Sequence, residues 1–337
     1  MNMNIKSNWK LILGLAVSAL FLYLAFRKAD FDEMILSLKG ADYRYVIPAV
    51  ALSLLSLVFR AVRWKYLFRP IKKIGFMNLL SAASIGFMAN SVMPARLGEF
   101  VRAYAIGRKE NISKSSSFAT IVVARIYDGI TILLFLFVTL YRFPFSFPPW
   151  FRNVILAAVV FYLLAIAFIV LLRWRRDKAF AIAAAIIRFL PEKLQQTLMT
   201  VLNSFVIGLD VLRSARDALA AGFYSILVWL PNAAIIFVLA RSFDIALPFS
   251  GAMLILVIVT LGIMIPSAPA FVGTIQYCCV LGLGFFGVSR ALALSFSVIY
   301  HLCTFLPITI AGFIFLLIEG YSFVELKKTA EEQDKPR

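Results

Sequence analysis

The sequence predicts an all-α polytopic membrane protein. It reads as two inverted-topology repeats, each helix, helix, broken (re-entrant) hairpin, helix, with about six full spans plus two interrupted hairpins. Three observations predict this. Of 337 residues, 62% are hydrophobic, and the mean hydropathy is +0.90. Several apolar runs reach the ~20 residues that a helix needs to cross hydrocarbon. Two of the runs break at proline, at corresponding places in the two halves. Only helices and closed barrels satisfy their backbone in lipid, and the alternating segments of a barrel are missing.

Taken in order, the apolar runs are 9–26, 45–62, 78–93, 97–107, 118–140, 152–172, 218–240, 249–265, 270–287 and 291–318. The first follows Lys6 and Lys10 and ends at Arg27 and Lys28 with no small-residue cleavage site, so it reads as a retained transmembrane helix and not a signal peptide. The run 78–93 is short, carries Asn78, Ser81, Ser84, Asn90 and Ser91, and stops at Pro94. The run 97–107 is shorter and charged. The pair 249–265 and 270–287 has the same form around "IPSAPAFVGTIQ". Interrupted hydrophobic segments in matching positions are the mark of broken helices, whose free backbone must be buried in protein or line a wet cavity.

The spacing supports a duplication. Pro94 falls on Pro269 and Gly98 on Gly273 at an offset of 175, and Arg125 falls on His301 at 176. Repeat one is then about 9–140 and repeat two about 152–318, within one integral membrane domain of 1–326. The segment 173–217 opens with "RWRRDK" and carries Leu194, Leu198, Leu202, Phe205, Leu209 and Leu212 at helical spacing after Pro191. It reads as a cytoplasmic amphipathic element, lying on the membrane surface or packed as a loop helix. Residues 327–337 read as a charged cytoplasmic tail.

The net charge of +17 reads as topology, not nucleic-acid binding. With the N-terminus inside and each hairpin returning to its side of entry, 24 of the 34 Lys and Arg fall inside, among them the whole stretch 60–75, and 8 fall outside. The prediction is a prokaryotic plasma-membrane protein with both termini cytoplasmic. Cys278, Cys279 and Cys303 lack metal-ligand spacing and read as buried apolar residues.

The candidate site sits where charge meets apolar sequence. In "NSVMPARLGEFVRAYAI", Pro94 suits the first turn of a new helix, whose free N–H groups and positive dipole end favour an anion. Arg96 adds a charge, and Glu99, three residues from both Arg96 and Arg102, would hold the arginines on one face. The same groups would also serve as a structural ion-pair cluster, with Arg102 reaching the interface. In "VVARIYDG", Arg125 and Asp128 are three apart, ~15 and ~20 Å into a helix that starts near Ser115. Each would cost ~2.5–3.5 kcal/mol against lipid, so both must face inward, pairing with each other or with the Arg96–Glu99 group. The second half supplies Pro269, Gly273, Thr274, Gln276, Tyr300 and His301, polar but nearly uncharged. Asn90 completes the substrate-binding set. These groups are expected to converge on a water-accessible hollow halfway through the bilayer.

"GLGFFG" at Gly282–Gly287 matches GxGxxG, but no strand precedes it, so it reads as helix packing and not a dinucleotide site. No catalytic triad, P-loop or metal cluster is legible, and no cofactor is expected.

The blocks "NSVMPARLGEFVRAYAI", "VVARIYDG", "FVIGLDVLR" and "IPSAPAFVGTIQ", with "YH" downstream, resemble the lysylphosphatidylglycerol synthetase transmembrane region, the flippase-like domain family, over about residues 40–320. The resemblance implies an integral membrane domain that flips lipids; in the best-known members it moves aminoacylated phosphatidylglycerol to the outer leaflet. Those members add a soluble aminoacyl-transferase domain, for which 337 residues leave no room. Stand-alone members beside lipid and glycan enzymes keep polyprenyl-phosphate carriers as candidates. Relatives often carry an acidic residue after Gly-Thr, where this chain has Gln276. The expected activity is transport of a phospholipid or polyprenyl-phosphate-linked lipid, without enzymatic activity, with a lipid- or glycan-modifying enzyme as partner. Asp128 and His301 are the proton-coupling candidates. The alternatives are a membrane-embedded lipid transferase, with Glu99 or Asp128 as base, and a scaffold subunit for a separate transferase.

Overall fold

A computed structural model describes residues 5–27, 29–93, 97–142, 149–208, 214–265 and 267–320. The first half contains α1 (Ile5–Phe26), α2 (Phe31–Gly40), α3 (Val46–Phe68), α4 (Phe76–Val92), α5 (Gly98–Glu110) and α6 (Lys114–Arg142). The second contains α7 (Pro149–Trp174), α8 (Arg176–Ile187), α9 (Glu192–Gly208), α10 (Ala215–Ser242), α11 (Phe249–Gly262), α12 (Thr274–Gly284) and α13 (Arg290–Ile318). Single 3₁₀ turns occupy Tyr43–Tyr45 and Pro269–Phe271, and no strand occurs among the described residues. The protein is an all-helical polytopic membrane protein.

Six helices (α1, α3, α6, α7, α10 and α13) have 22, 23, 29, 26, 28 and 29 residues. At 1.5 Å per residue each exceeds the ~30 Å of a hydrocarbon core. Apart from α2 in the first half and α8 and α9 in the second, the element order of the two halves is the same: two long helices, two short ones, then a long one. α6 and α13 are both 29 residues long, and their ends are 176 positions apart. The short pairs α4/α5 and α11/α12 fall on the apolar runs that the sequence breaks at proline.

Local chemistry sets the ends. Asp30, Ser214 and Ser289 cap α2, α10 and α13 by accepting from backbone N–H groups two or three residues on. Asn111, at φ 53°, ends α5 in the left-handed conformation that Asn tolerates. Pro191 lies just before α9, its carbonyl accepting from Leu194 and Gln195. α9 packs on α6, with Leu202 against the core, which favours the packed loop helix over the surface-lying one. Leu209, Leu212 and the tail 327–337 lie outside the described residues.

Two facing helices form the centre. α3 lies along α10, where Ser56 Oγ donates to the Val228 carbonyl at 3.0 Å and Asn232 Nδ2 donates to Ser56 Oγ at 2.8 Å. α4 packs between α3, α5 and α13. α1 covers the second hairpin loop: Ser18 Oγ accepts from the Ala268 N–H at 2.8 Å, and Phe21 stacks on Tyr277 at 5.3 Å. Gly273, at φ 86°, faces the Ser18 carbonyl so closely that a Cβ would lie 2.5 Å from it. Glycine is required there for conformation and for space. Cys278, Cys279 and Cys303 are free and buried, as expected.

Two expectations are corrected. The second span does not stop at residue 62 with Arg60 and Arg63 in a basic loop. α3 continues to Phe68, and Arg63 is 2% exposed, because the apolar period resumes at Trp64, Leu67 and Phe68. Arg102, also counted as a loop charge, is 3% exposed. Helix α5 starts at Gly98 with Leu97 as its cap; the expectations for Pro94 and Arg96 lie outside the described residues.

Candidate functional site

α6 supplies the centre of the site. Arg125 and Asp128 stand ~17 and ~21 Å from its first residue, near the middle of the helix. They pair as i,i+3 neighbours, Arg125 Nη1 to Asp128 Oδ2 at 3.1 Å. The other Arg125 nitrogen, Nη2, is bound by Glu99 Oε1, which projects from the first turn of α5. Glu99 therefore pairs across to Arg125. Of the expected pairings, those of Arg125 with Asp128 and with Glu99 are both present, while Glu99 makes no ion pair with Arg102 among the described residues.

Asp128 is 5% exposed and accepts from three donors. Arg63 Nη1 reaches Oδ1 at 2.5 Å, Trp229 Nε1 reaches the same oxygen at 2.9 Å, and Arg125 takes Oδ2. All three partners are donors, which fits the acceptor-only carboxylate. Arg63 also donates to Ser225 Oγ at 3.0 Å. Four helices, α3, α5, α6 and α10, are thus tied at one ion-pair network.

Two more guanidiniums flank that network. Arg102 lies 3.6 Å over the Trp64 ring and 5.7 Å from the Phe87 ring. Arg60 lies 5.0 Å from Phe87 and 5.2 Å from Trp229. Neither makes an ion pair among the described residues. A cation–π contact is worth ~0.5–2 kcal/mol. Withdrawing an ion from water costs several kcal/mol, so the rings compensate only part of it.

The hairpin that presents Glu99 is held by close backbone approach. The Asn90 side chain accepts from the Gly98 N–H at 2.9 Å, capping α5 from α4. This gives Asn90 a positioning role within the predicted set. Arg125 is the open member: its side chain is 40% exposed, against 21% for Glu99 and 2% for Arg63.

The second-half residues form their own group. Gln276 Oε1 accepts from the Gly273 N–H at 2.8 Å, and its Nε2 lies 3.1 Å from His301 Nδ1. Thr274 is fully buried, and its hydroxyl has no partner among the described residues. Tyr300 stacks on Phe296 at 6.0 Å. Pro269 opens the 3₁₀ turn that touches α4, after which Ala270 and Phe271 both adopt positive φ. No group of three or more metal-ligating side chains occurs among the described residues.

Sequence reasoning thus placed Glu99, Arg102, Arg125 and Asp128 together and missed Arg60, Arg63 and Trp229. The signal for the arginines was their i,i+3 spacing in "FRAVRWKYLF", an apolar helix that does not end at its first charge.

A family model described as "Lysylphosphatidylglycerol synthase TM region" matches residues 11–312. A UPF0104 membrane protein of Methanothermobacter thermautotrophicus is 24% identical over 292 residues, 82% of this chain and 86% of that one. Another, of Methanocaldococcus jannaschii, is 24% identical over 327 residues, 94% of this chain and 96% of that one. The glycosyltransferase AglD of Haloferax volcanii is 34% identical over 125 residues, 36% of this chain and 20% of that protein.

Proposed function

The chain belongs to the lysylphosphatidylglycerol synthase transmembrane-region family, and from that premise we propose that it moves a phosphate-bearing lipid between the leaflets of a prokaryotic plasma membrane. One observation carries the reading. Arg125, in the middle of a 29-residue membrane helix, has its side chain 40% exposed while Glu99 and Asp128 hold it in place. An intramembrane charge kept open at such cost marks a pathway for a polar group. The headgroup phosphate binds there, and the tails stay in lipid. The two halves act as inverted repeats with re-entrant hairpins, rocking to expose each leaflet in turn. Transport is favoured over transfer chemistry because Asp128 is buried with both of its oxygens held by donors, while Glu99 is tied to Arg125 through Oε1. A general base needs a free lone pair within reach of its proton, which Asp128 lacks. The local similarity to AglD is compatible with a lipid carrier serving a glycan- or lipid-modifying partner.

The test is lipid flipping in vesicles that contain the purified protein. Arg125→Ala is expected to abolish movement of fluorescent phospholipids while leaving a folded, monodisperse protein. Product formed from a co-substrate without any flipping would overturn the reading.

We propose further that both termini are cytoplasmic, since Lys and Arg dominate that side even with Arg60, Arg63 and Arg102 moved into the bundle. The three native cysteines are buried, so single exposed cysteines report sidedness. Ser113→Cys, between α5 and α6, should react with a membrane-impermeant maleimide only from the cytoplasmic side, and Ala246→Cys, between α10 and α11, only from outside. Labelling of both from one side would refute the arrangement.

A further inference from the structure

We propose that the headgroup taken by this site is a dianionic phosphomonoester on a lipid, in preference to a singly charged phosphodiester. The inference rests on the transport reading above and names its substrate class. It comes from counting charge. Among the described residues the cluster holds four guanidiniums, Arg60, Arg63, Arg102 and Arg125, and two carboxylates, Glu99 and Asp128. The carboxylates are consumed by Arg63 and Arg125. Arg60 and Arg102 are left with ring faces for neighbours, and Arg102 Nε is buried without a partner.

Guanidinium does not shed its proton in a protein, so the excess of two positive charges is permanent. Ring contacts fall short of the cost of burying Arg102, which is 3% exposed, and offset only part of that of the half-buried Arg60. An anion must supply the rest when the site is filled. Both arginines stand against the same ring, Phe87, at 5.0 and 5.7 Å, which keeps the two guanidiniums within about 11 Å of one another. A phosphomonoester near neutral pH carries about −1.5 to −2 and three acceptor oxygens, whereas a phosphodiester carries one charge. Guanidinium forks match phosphate oxygens in pairs. The dianion balances the count and the diester does not.

The lipid tail has a path beside it. An apolar groove of about 420 Å³ runs between α3 and α13, lined by Val46, Val50 and Leu54 on one side and Leu302, Leu306 and Ile310 on the other. Arg60 lies six residues, ~9 Å, beyond Leu54 along α3, to one side of the groove face. A chain lying in the groove places its phosphate toward Arg60.

The experiment compares fluorescent phosphatidic acid, a phosphomonoester, with fluorescent phosphatidylglycerol of the same acyl chains. Flipping is measured in vesicles and binding by native mass spectrometry of the intact protein. Phosphatidic acid is expected to bind and to move at least about tenfold better. Arg60→Gln and Arg102→Gln are each expected to erode that preference about tenfold, and Arg60→Lys to retain most of it. Equal or reversed preference in wild type overturns the proposal and leaves transport standing, and this comparison decides even where a Gln variant misfolds. A binding preference without flipping supports the proposal and sinks transport. Inorganic phosphate displacing phosphatidic acid with equal affinity marks a site for free anion and overturns the lipid assignment.

Discussion

Replacing Asp128 with alanine is expected to be the most damaging single change in this protein. It strands three donors at once: Arg63 at 2.5 Å, Trp229 at 2.9 Å and Arg125 at 3.1 Å. Arg63 is 2% exposed and has only Ser225 Oγ left as a partner. Removing one side of a buried ion pair costs ~3–5 kcal/mol, because the other charge stays buried without compensation. The expected result is a large fall in thermal stability in detergent, together with loss of flipping. Arg63→Met combined with Asp128→Leu is expected to recover part of the stability, since replacing both charges by apolar groups removes the desolvation cost. It should not recover flipping, because Arg125 then loses one of the two carboxylates that aim it. A loss of under about 1 kcal/mol in Asp128→Ala would show that the network does not hold α3, α6 and α10 together.

Gly98→Val should come second, for a steric reason. A Cβ at Gly98 would lie 2.1 Å from the Gly86 carbonyl oxygen and 2.6 Å from the Asn90 backbone nitrogen. Both are backbone atoms of α4 and cannot rotate aside, so α5 must move off α4. That shift breaks the Asn90 cap and carries Glu99 away from Arg125. Overpacking costs ~1–3 kcal/mol, and a clash between two helix backbones belongs at the upper end. Low yield of folded protein and no flipping are expected. The control is Gly284→Ala at the end of α12, where nothing lies within 4 Å and no change is expected. Equal stability of the two variants would mean that the hairpin is not packed as described.

These two sites show where a sequence is legible. Arg125 and Asp128 were placed on one face because three residues on one helix always are neighbours, whatever the rest of the fold does. Glu99 is found for the same reason, by its distance from a break in apolar sequence, with an arginine on its own helix and Arg125 on the next both open as partners. The choice between Arg102, three residues along the same helix, and Arg125, on the next helix, depends on how α5 is rotated against α6. No local spacing encodes that rotation. Arg102 instead lies over Trp64 at 3.6 Å, a contact between α5 and α3 that only packing creates.

Arg60 and Arg63 were hidden by a different effect. Reading a span by hydropathy ends it at the first charge, because charge in lipid is costly. Here the cost is offset by Asp128 and by the Phe87 and Trp229 rings, all on other helices, so α3 runs on to Phe68. A buried charge can be recognised only with its counterion in view.

The sequence by itself determined the membrane class, the long spans, the two proline breaks and the faces on which local charges fall. Composition and the 3.6-residue period fix those over one or a few turns of helix. Tertiary structure alone decided which charges cancel, since pairing between helices is set by their rotation and contact. The excess of positive charge that defines the site is therefore a property of the assembled bundle.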